Sequence, residues 1–314
     1  MFCFCSSSVL LLNQIMSWFY LALLAPLLFA IVNLIDDNLL RFVYKGPYLA
    51  AAASGIFGAL PLISLLFVDW TPITISQAGV MLLAGFLTAI YYFFYFKSLA
   101  VESPSVVIAI MSLVPATLPV LAYFLLDERL TSAQFTGFTV VLIASLGLAM
   151  TEVKKFKFSA ALVPALVVVG IVDITSLLTK YVYEQAAFYP AFICFSIGLG
   201  LGGVYFALIM FFDHKKHDLS VFKKSIHKLF VIFIMVELLA VAAEFTSNLA
   251  VSRGAVSLVR VVEGIQPMYV LLIALVLYPL SPKHFREAAE GQLAKKFALM
   301  AIITAGLFLI GATA

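Results

Sequence analysis

Residues 188–212 read FYPAFICFSIGLGLGGVYFALIMFF and contain no charged side chain. A helix needs about 20 mostly apolar residues to cross the hydrocarbon core of a bilayer, so this segment predicts a transmembrane helix. Its glycines Gly198, Gly200, Gly202 and Gly203 follow no predicted strand, which argues against a nucleotide-binding loop. Their spacing is typical of close packing between membrane helices.

The rest of the chain has the same apolar character. Of its 314 residues, 64% are hydrophobic and only 11% are charged, and the mean hydropathy is +1.13. Soluble domains carry about a quarter charged residues. This composition excludes a soluble enzyme, a disordered chain and a nucleic-acid-binding protein. We therefore expect an integral protein of the lipid bilayer. The localisation we predict is a bacterial inner (cytoplasmic) membrane.

Apolar runs between charged or turn-rich breaks predict ten transmembrane helices. They lie at 17–36, 47–68, 77–97, 104–126, 133–151, 158–180, 188–212, 229–250, 254–279 and 296–313. Two connecting loops are longer, at 213–228 and 280–295, and residues 282–296 predict an amphipathic surface helix in the second. Residues 1–16 are interpreted as an N-terminal extension, because Met16 begins a conventional membrane-protein start.

The distribution of positive charge predicts the orientation in the membrane. Most of the 19 Lys and Arg residues lie in the odd-numbered loops. Because cytoplasmic loops collect Lys and Arg, this pattern places the odd loops inside and both termini outside.

Two pairs of similar segments indicate an internal repeat. Residues 39–45 (LLRFVYK) resemble 178–184 (LTKYVYE), and Leu-Ala-Val recurs at 99–101 and 249–251. Each Leu-Ala-Val is followed at similar spacing by a proline, Pro115 in one half and Pro267 in the other. We predict an all-α integral membrane protein with ten transmembrane helices arranged as two inverted five-helix repeats. Inverted repeats place a binding site near the midplane and suit alternating access.

The boundaries of the predicted repeats are 17–151 and 158–313. The first contains DERLTSAQFTG at 127–137, preceded by Ser-Val-Val at 105–107 and by Pro115. With Asn-Leu-Ile-Asp at 33–36, this pattern resembles the EamA-type transporters of the drug/metabolite transporter superfamily. The resemblance covers residues 17–313 and implies a transporter rather than an enzyme, with no cofactor and no bound metal.

The sequence departs from that family pattern in two ways. The second half has Pro-Leu-Ser-Pro at 279–282 where the first half has Glu128, so we expect Glu128 to be a structural cap. In addition, the resemblance implies cytoplasmic termini, whereas the charge distribution predicts the opposite orientation.

Charged residues inside the ninth predicted span mark a candidate site, because charges in a bilayer are costly. Arg260 and Glu263 are three residues apart and can pair. The pair can serve to fix the packing or to bind substrate beside a helix broken by Pro267, where Gln266 also lies. Both interpretations remain open at this point.

The eighth predicted span places Glu237, Glu244 and Asn248 on one helix face. We expect Glu237 to be solvated near the membrane surface. Burial disfavours a charged carboxylate, so the deeper Glu244 is a candidate for binding and releasing protons. Alternatively, Glu244 pairs with Arg260 or Lys97 and does not titrate.

Other spans contribute further candidates. Asp173 lies in the middle of the sixth span, and Asp36 lies near the end of the first. Tyr92, Tyr95 and Lys97 lie along the third. Aromatic residues near helix ends usually form an interfacial belt, and the alternative is a cavity wall. The candidate substrate-binding or coupling residues are Glu244, Arg260, Glu263, Asp173, Gln266, Tyr92, Tyr95, Lys97 and Asp36.

Acidic residues outnumber basic ones inside the predicted spans. This excess favours a small cationic or zwitterionic, amino-acid-like substrate, and it is compatible with proton coupling. The sequence thus predicts a secondary transporter that is a monomer or homodimer and has no nucleic-acid partner. Two alternatives stay open: a membrane enzyme acting on lipid headgroups, and a flippase or carrier of phosphorylated or lipid-linked sugars.

Overall fold

A computed structural model describes residues 3–44, 46–66, 71–102, 107, 110–111, 113–152, 162–212, 216–279 and 293–313. Within these ranges the chain is helical and contains no strand. The helices are α1 (Cys3–Leu39), α2 (Pro47–Phe57), α3 (Ile75–Leu99), α4 (Val114–Leu126), α5 (Ser132–Glu152), α6 (Leu162–Tyr183), α7 (Phe188–Phe212), α8 (Lys216–Arg253), α9 (Val256–Glu263), α10 (Gln266–Leu277) and α11 (Leu293–Thr313). A π-helical turn (Leu40–Tyr44) follows α1, and a 3-10 turn (Leu60–Leu66) follows α2.

Eight segments of the described chain are long and apolar enough to cross a membrane, which confirms an all-α integral membrane protein. Two shorter apolar helices lie at Val114–Leu126 and Ser132–Leu148. The predicted span 188–212 coincides with α7. The predicted surface helix at 282–296 lies mostly outside the described residues.

One sequence prediction about the loops is wrong. The sequence predicts a loop at 213–228, but residues 216–228 form the start of α8, which runs to Arg253 without a break. No Gly or Pro occurs between 213 and 253, so nothing in the sequence stops the helix. Charged residues end a membrane span there, but they do not end a helix.

The ninth span is broken as its proline predicts. It consists of α9 and α10, which are separated at Gly264 and Ile265. Pro267 stands in the first turn of α10, where a missing backbone N–H is tolerated. At the break, the backbone N–H groups of Gly264 and Ile265 donate to carbonyl oxygens of α9.

Capping residues explain where two helices begin. The Thr74 hydroxyl accepts from the backbone N–H of Gln77, whose side chain accepts from the backbone N–H of Thr74. Thr131 and Gln134 form the same reciprocal pair at the start of α5. Such a capping box satisfies donors that the first helical turn leaves unpaired.

Glycines allow α7 to pack closely against two neighbours, as the sequence predicts. A Cβ on Gly198 would lie 2.0 Å from the carbonyl oxygen of Leu82 in α3. A Cβ on Gly203 would lie 2.5 Å from the backbone nitrogen of Ile56 in α2. Backbones approach this closely only where side chains are absent, so α2, α3 and α7 form a tight group.

Glu128 is the structural cap expected from the sequence. Its carboxylate accepts from the backbone N–H groups of Val256 (2.9 Å) and Ser257 (3.0 Å) at the start of α9. A carboxylate at a helix N-terminus is favourable both as a hydrogen-bond acceptor and as a charge. Glu128 thereby fixes the position of α9, and so of the charged residues that α9 carries.

Candidate functional site

A cavity of about 120 Å³ lies in the interior of the helix bundle. Both halves of the sequence line it, and Pro115 and Pro267 are both in its wall. So are Asn33 from the first half and Val172 from the second. Its polar wall residues are Asn33, Thr88, Tyr91, Thr175, Glu244, Arg260, Glu263 and Gln266.

Arg260 is the cationic group of this cavity. Its guanidinium forms a salt bridge with Glu263 and donates to the hydroxyls of Ser176 (3.0 Å) and Ser247 (3.0 Å). The side chain is only 16% exposed. These contacts come from α6, α8 and α9, so three helices fix the direction of the guanidinium.

Two carboxyl groups accompany Arg260 in the cavity wall. Glu263 uses one oxygen for the salt bridge, and its buried Oε1 has no hydrogen-bond partner among the described residues. Glu244 accepts a hydrogen bond from the Asn248 amide (3.0 Å), and Asn248 accepts from Tyr183 (3.0 Å). The cavity therefore offers one guanidinium and two acceptor carboxyls to a solute.

Glu244 does not form the alternative ion pairs considered from the sequence. The salt-bridge partner of Arg260 is Glu263. Lys97 is exposed at the end of α3, where its ammonium lies 5.9 Å from the Phe93 ring. The structure thus places Lys97 away from the cavity.

Asp173 is not among the residues that line the cavity. It is 4% exposed, and its Oδ1 has no hydrogen-bond partner within the described part of the chain. The Thr117 hydroxyl donates to the backbone oxygens of Leu113 and Val114 rather than to this carboxyl. Gln266, by contrast, is part of the cavity wall itself.

A second polar group lies on the side of the π-helical turn. Glu237 accepts hydrogen bonds from the hydroxyls of Tyr44 and Ser54. Tyr95 donates to Asn33 (2.9 Å) and contacts Asp36 (3.3 Å). A cavity of about 30 Å³ lies among these side chains.

The expectation that Glu237 is solvated is wrong, because it is only 2% exposed. The π-helical turn and α2 cover it and supply its two hydroxyl donors. Its spacing of two helical turns from Glu244 was the signal that both carboxyls face the interior. The interfacial-belt interpretation is also wrong for Tyr95, which is 4% exposed and points into the protein.

The comparison with known families decides the class of protein. A model of the EamA-like transporter family matches residues 16–150. Residues 16–150 belong to the EamA-like transporter family. This match confirms the resemblance over residues 16–150 and supports a membrane transporter of the drug/metabolite transporter superfamily in general.

One solved structure, described as a crystal structure of a protein, is similar to this EamA-like chain over 95% of its length. The match covers 97% of that chain, with a TM-score of 0.67 and 20% sequence identity. It supports the fold of the whole chain. The chain matches no curated protein.

Proposed function

We propose that this EamA-like protein is a secondary transporter of small zwitterionic or cationic, amino-acid-like metabolites. The observation that supports this most strongly is the cavity wall formed by Arg260, Glu263 and Glu244. A guanidinium binds a carboxylate through two parallel hydrogen bonds, and a carboxyl group accepts from an ammonium. The spare Oε1 of Glu263 and the carboxyl of Glu244 are the acceptors proposed for the ammonium end of the substrate.

The size of the cavity supports a small substrate. Its volume of about 120 Å³ is well below the roughly 300–1,000 Å³ of sites for drug-sized ligands. Phosphorylated and lipid-linked sugars are larger, and their phosphates call for several cationic groups. Arg260 is the one cation in the described cavity wall, so this comparison favours an amino-acid-like solute.

The pattern of helix packing supports two inverted five-helix repeats, at 17–151 and 158–313. Suppose that α1 of the first repeat corresponds to α6 of the second, and α3 to α8. Exchanging the two repeats then turns the contact between α1 and α8 into the contact between α6 and α3. Both contacts are extensive in the structure. If α2 and α5 likewise correspond to α7 and α11, the α5–α11 and α2–α7 contacts map onto themselves, and both are extensive. The extensive contact of α3 with α7 has only a slight counterpart between α8 and α2.

On this basis we propose ten membrane-spanning helices, the fourth of which includes α4. The two repeats would rock about the shared cavity and open it to each side of the membrane in turn. Glu244, Arg260, Glu263 and Gln266 would bind the substrate. A proton on Glu244 would be exchanged for the substrate ammonium, which would couple transport to protons. We propose a monomer or homodimer in a bacterial inner membrane.

The experiment is uptake of a radiolabelled amino-acid mixture into proteoliposomes, measured with and without a pH gradient. We expect a pH gradient to drive accumulation of at least one component. Glu244→Gln should abolish this accumulation but allow exchange down a concentration gradient. The matched control is Glu184→Gln, which removes a carboxylate whose side chain is 52% exposed and should leave uptake unchanged.

Two outcomes would contradict this proposal. The first is the absence of uptake of every component of the mixture in the wild type. The second is conversion of a lipid headgroup by the protein in detergent, where no compartment exists, which would favour a membrane enzyme. Accumulation that keeps its pH dependence in Glu244→Gln would remove Glu244 from the coupling role.

A further inference from the structure

A small side cavity lies next to the central one, between α2, α3, α7 and α8. Its volume is about 10 Å³, close to the minimum of about 10–15 Å³ that holds one water molecule. Glu244 belongs to the wall of both cavities. Ser54 and Ser196 also line the side cavity, so polar groups stand around a space of the size of one water.

Ser196 points to an occupant of this side cavity. The residue is 1% exposed, and its Oγ has no hydrogen-bond partner in the part of the chain that the structure describes. Buried hydroxyl groups are normally paired with protein or with ordered water. A water molecule between Ser196, Ser54 and Glu244 would satisfy this hydroxyl.

The side cavity leads from Glu244 toward Glu237. Ser54 lines it and also donates a hydrogen bond to Glu237 (3.1 Å). Tyr92 lines it as well, and it lines the 30 Å³ cavity where Glu237 and Asp36 lie. The two glutamates are seven residues apart in α8, about 10 Å along the helix axis. Hydroxyl groups and two small cavities, which apolar side chains also line, therefore lie between the two glutamates.

We propose that Glu237 is a second proton carrier, joined to Glu244 by a relay through the side cavity and Ser54. This inference rests on the proton coupling proposed above. Glu244 loses a proton to the cavity water, the water passes one of its protons to Ser54, and Ser54 passes its own hydroxyl proton to the Glu237 carboxylate. Water and serine end with the protons they had at the start. The proton has then moved toward the end of the bundle where the π-helical turn lies.

The surroundings of Glu237 and Glu244 favour proton transfer between the two carboxyl groups. Over the described ranges of the chain, they do not provide a fixed cation that would hold either carboxylate in its charged form. Neither glutamate forms a salt bridge within the described residues, and Arg260 near Glu244 is engaged by Glu263. The ionisable and charged groups that face Glu237 or Glu244 are Asp36 from α1, Tyr44 from the π-helical turn, Tyr91, Tyr92 and Tyr95 from α3, Tyr183 from α6, and Arg260 and Glu263 from α9.

Ser196→Ala is the test that separates a relay from a structural role. It removes a hydroxyl that has no hydrogen-bond partner among the described residues, so a purely structural role predicts no loss of function. The relay predicts that proton-driven uptake of the labelled amino-acid mixture falls about tenfold, or 1.4 kcal/mol in the barrier. Exchange down a gradient should continue at the wild-type rate. The matched control is Ser145→Ala in α5, a 3% exposed serine whose Oγ is likewise unpaired among the described residues.

Infrared titration of the purified protein provides a readout that needs no substrate. Protonated carboxyl groups absorb through their carbonyl stretch, and this absorption changes with pH as each group titrates. In Glu237→Gln, one of the titrating components of this absorption should disappear. In Glu244→Gln the remaining component should shift, because linked carboxyls titrate as a pair. Glu237→Asp should restore part of the proton-driven uptake that Glu237→Gln loses.

The outcomes distinguish the relay from the transporter proposal. If wild-type uptake ignores the pH gradient, the proton coupling and the relay are both overturned. If wild-type uptake follows the gradient and Ser196→Ala behaves as Ser145→Ala does, the relay alone is overturned. A Glu237→Gln variant with wild-type infrared titration and wild-type coupling would also contradict it.

Discussion

The buried ion pair in the cavity wall gives a prediction about non-additive stability. Replacing Arg260 by Met leaves the Glu263 carboxylate buried without its cation. Replacing Glu263 by Met leaves the Arg260 guanidinium with its two serine contacts only. Removing one partner of a buried pair costs about 3–5 kcal/mol, whereas replacing both by apolar groups of similar volume is often close to neutral.

The contacts of Arg260 determine the size of the effect in the double variant. Arg260→Met with Glu263→Met also loses the hydrogen bonds to Ser176 and Ser247. Losing each of these two hydrogen bonds costs about 0.5–1.5 kcal/mol of stability. The double variant should therefore be roughly 1–3 kcal/mol less stable than the wild type. The two single variants together sum to roughly 6–10 kcal/mol. We therefore expect the double variant to be more stable than either single variant.

The assay is equilibrium unfolding in mixed micelles, followed by helix content, for the wild type and the three variants. Binding of the labelled amino-acid mixture is measured in parallel and should be lost in all three, because the guanidinium or the acceptor carboxyl is missing. A double variant whose destabilisation equals the sum of the singles would refute the assignment of a coupled pair. Binding retained in the double variant would refute the role of the pair in substrate recognition.

Three further substitutions test how the fold positions this site, each by the same unfolding measurement. Gly198→Ala should lower the free energy of unfolding by about 1–3 kcal/mol, because the new Cβ would lie 2.0 Å from the Leu82 carbonyl oxygen. The control is Gly170→Ala, whose Cβ would meet nothing within 4 Å, and it should not destabilise the protein. Glu128→Ala should cost about 1 kcal/mol because α9 loses its cap, and an unchanged stability would show that the cap is dispensable. Lys180→Met should lower the free energy of unfolding by about 1–3 kcal/mol, because the Lys180 ammonium donates to backbone oxygens at the end of α8. A loss of less than a few tenths of a kcal/mol would contradict a stabilising role for these hydrogen bonds.

Hydropathy predicts the membrane spans well because a bilayer imposes a length and an apolar composition on each crossing. It predicted the limits of α7 and the break before Pro267. It did not predict that α8 continues to Lys216, because charged residues end a membrane span without ending a helix. Glu128 was also predictable, since a carboxylate that has no counterpart in the second half suggests a local structural role.

The candidate site could be predicted only in part. The pairing of Arg260 with Glu263 follows from helix periodicity within one segment. The positions of Glu237 and Lys97 depend instead on which helix covers each residue, and this is decided by packing between distant parts of the chain. Tyr95 shows the same limit, because its partner Asn33 lies in another helix.

Thiol labelling at Thr175→Cys provides the decisive measurement, because Thr175 lies in the wall of the central cavity. The native Cys3, Cys5 and Cys194 are first replaced by alanine. If the cavity opens alternately to the two sides, a membrane-impermeant reagent should label this cysteine from either face of the proteoliposome, and the transported amino acid should slow the labelling. Labelling from one face only, or no protection by any amino acid, would contradict a transport cavity shared by the two halves.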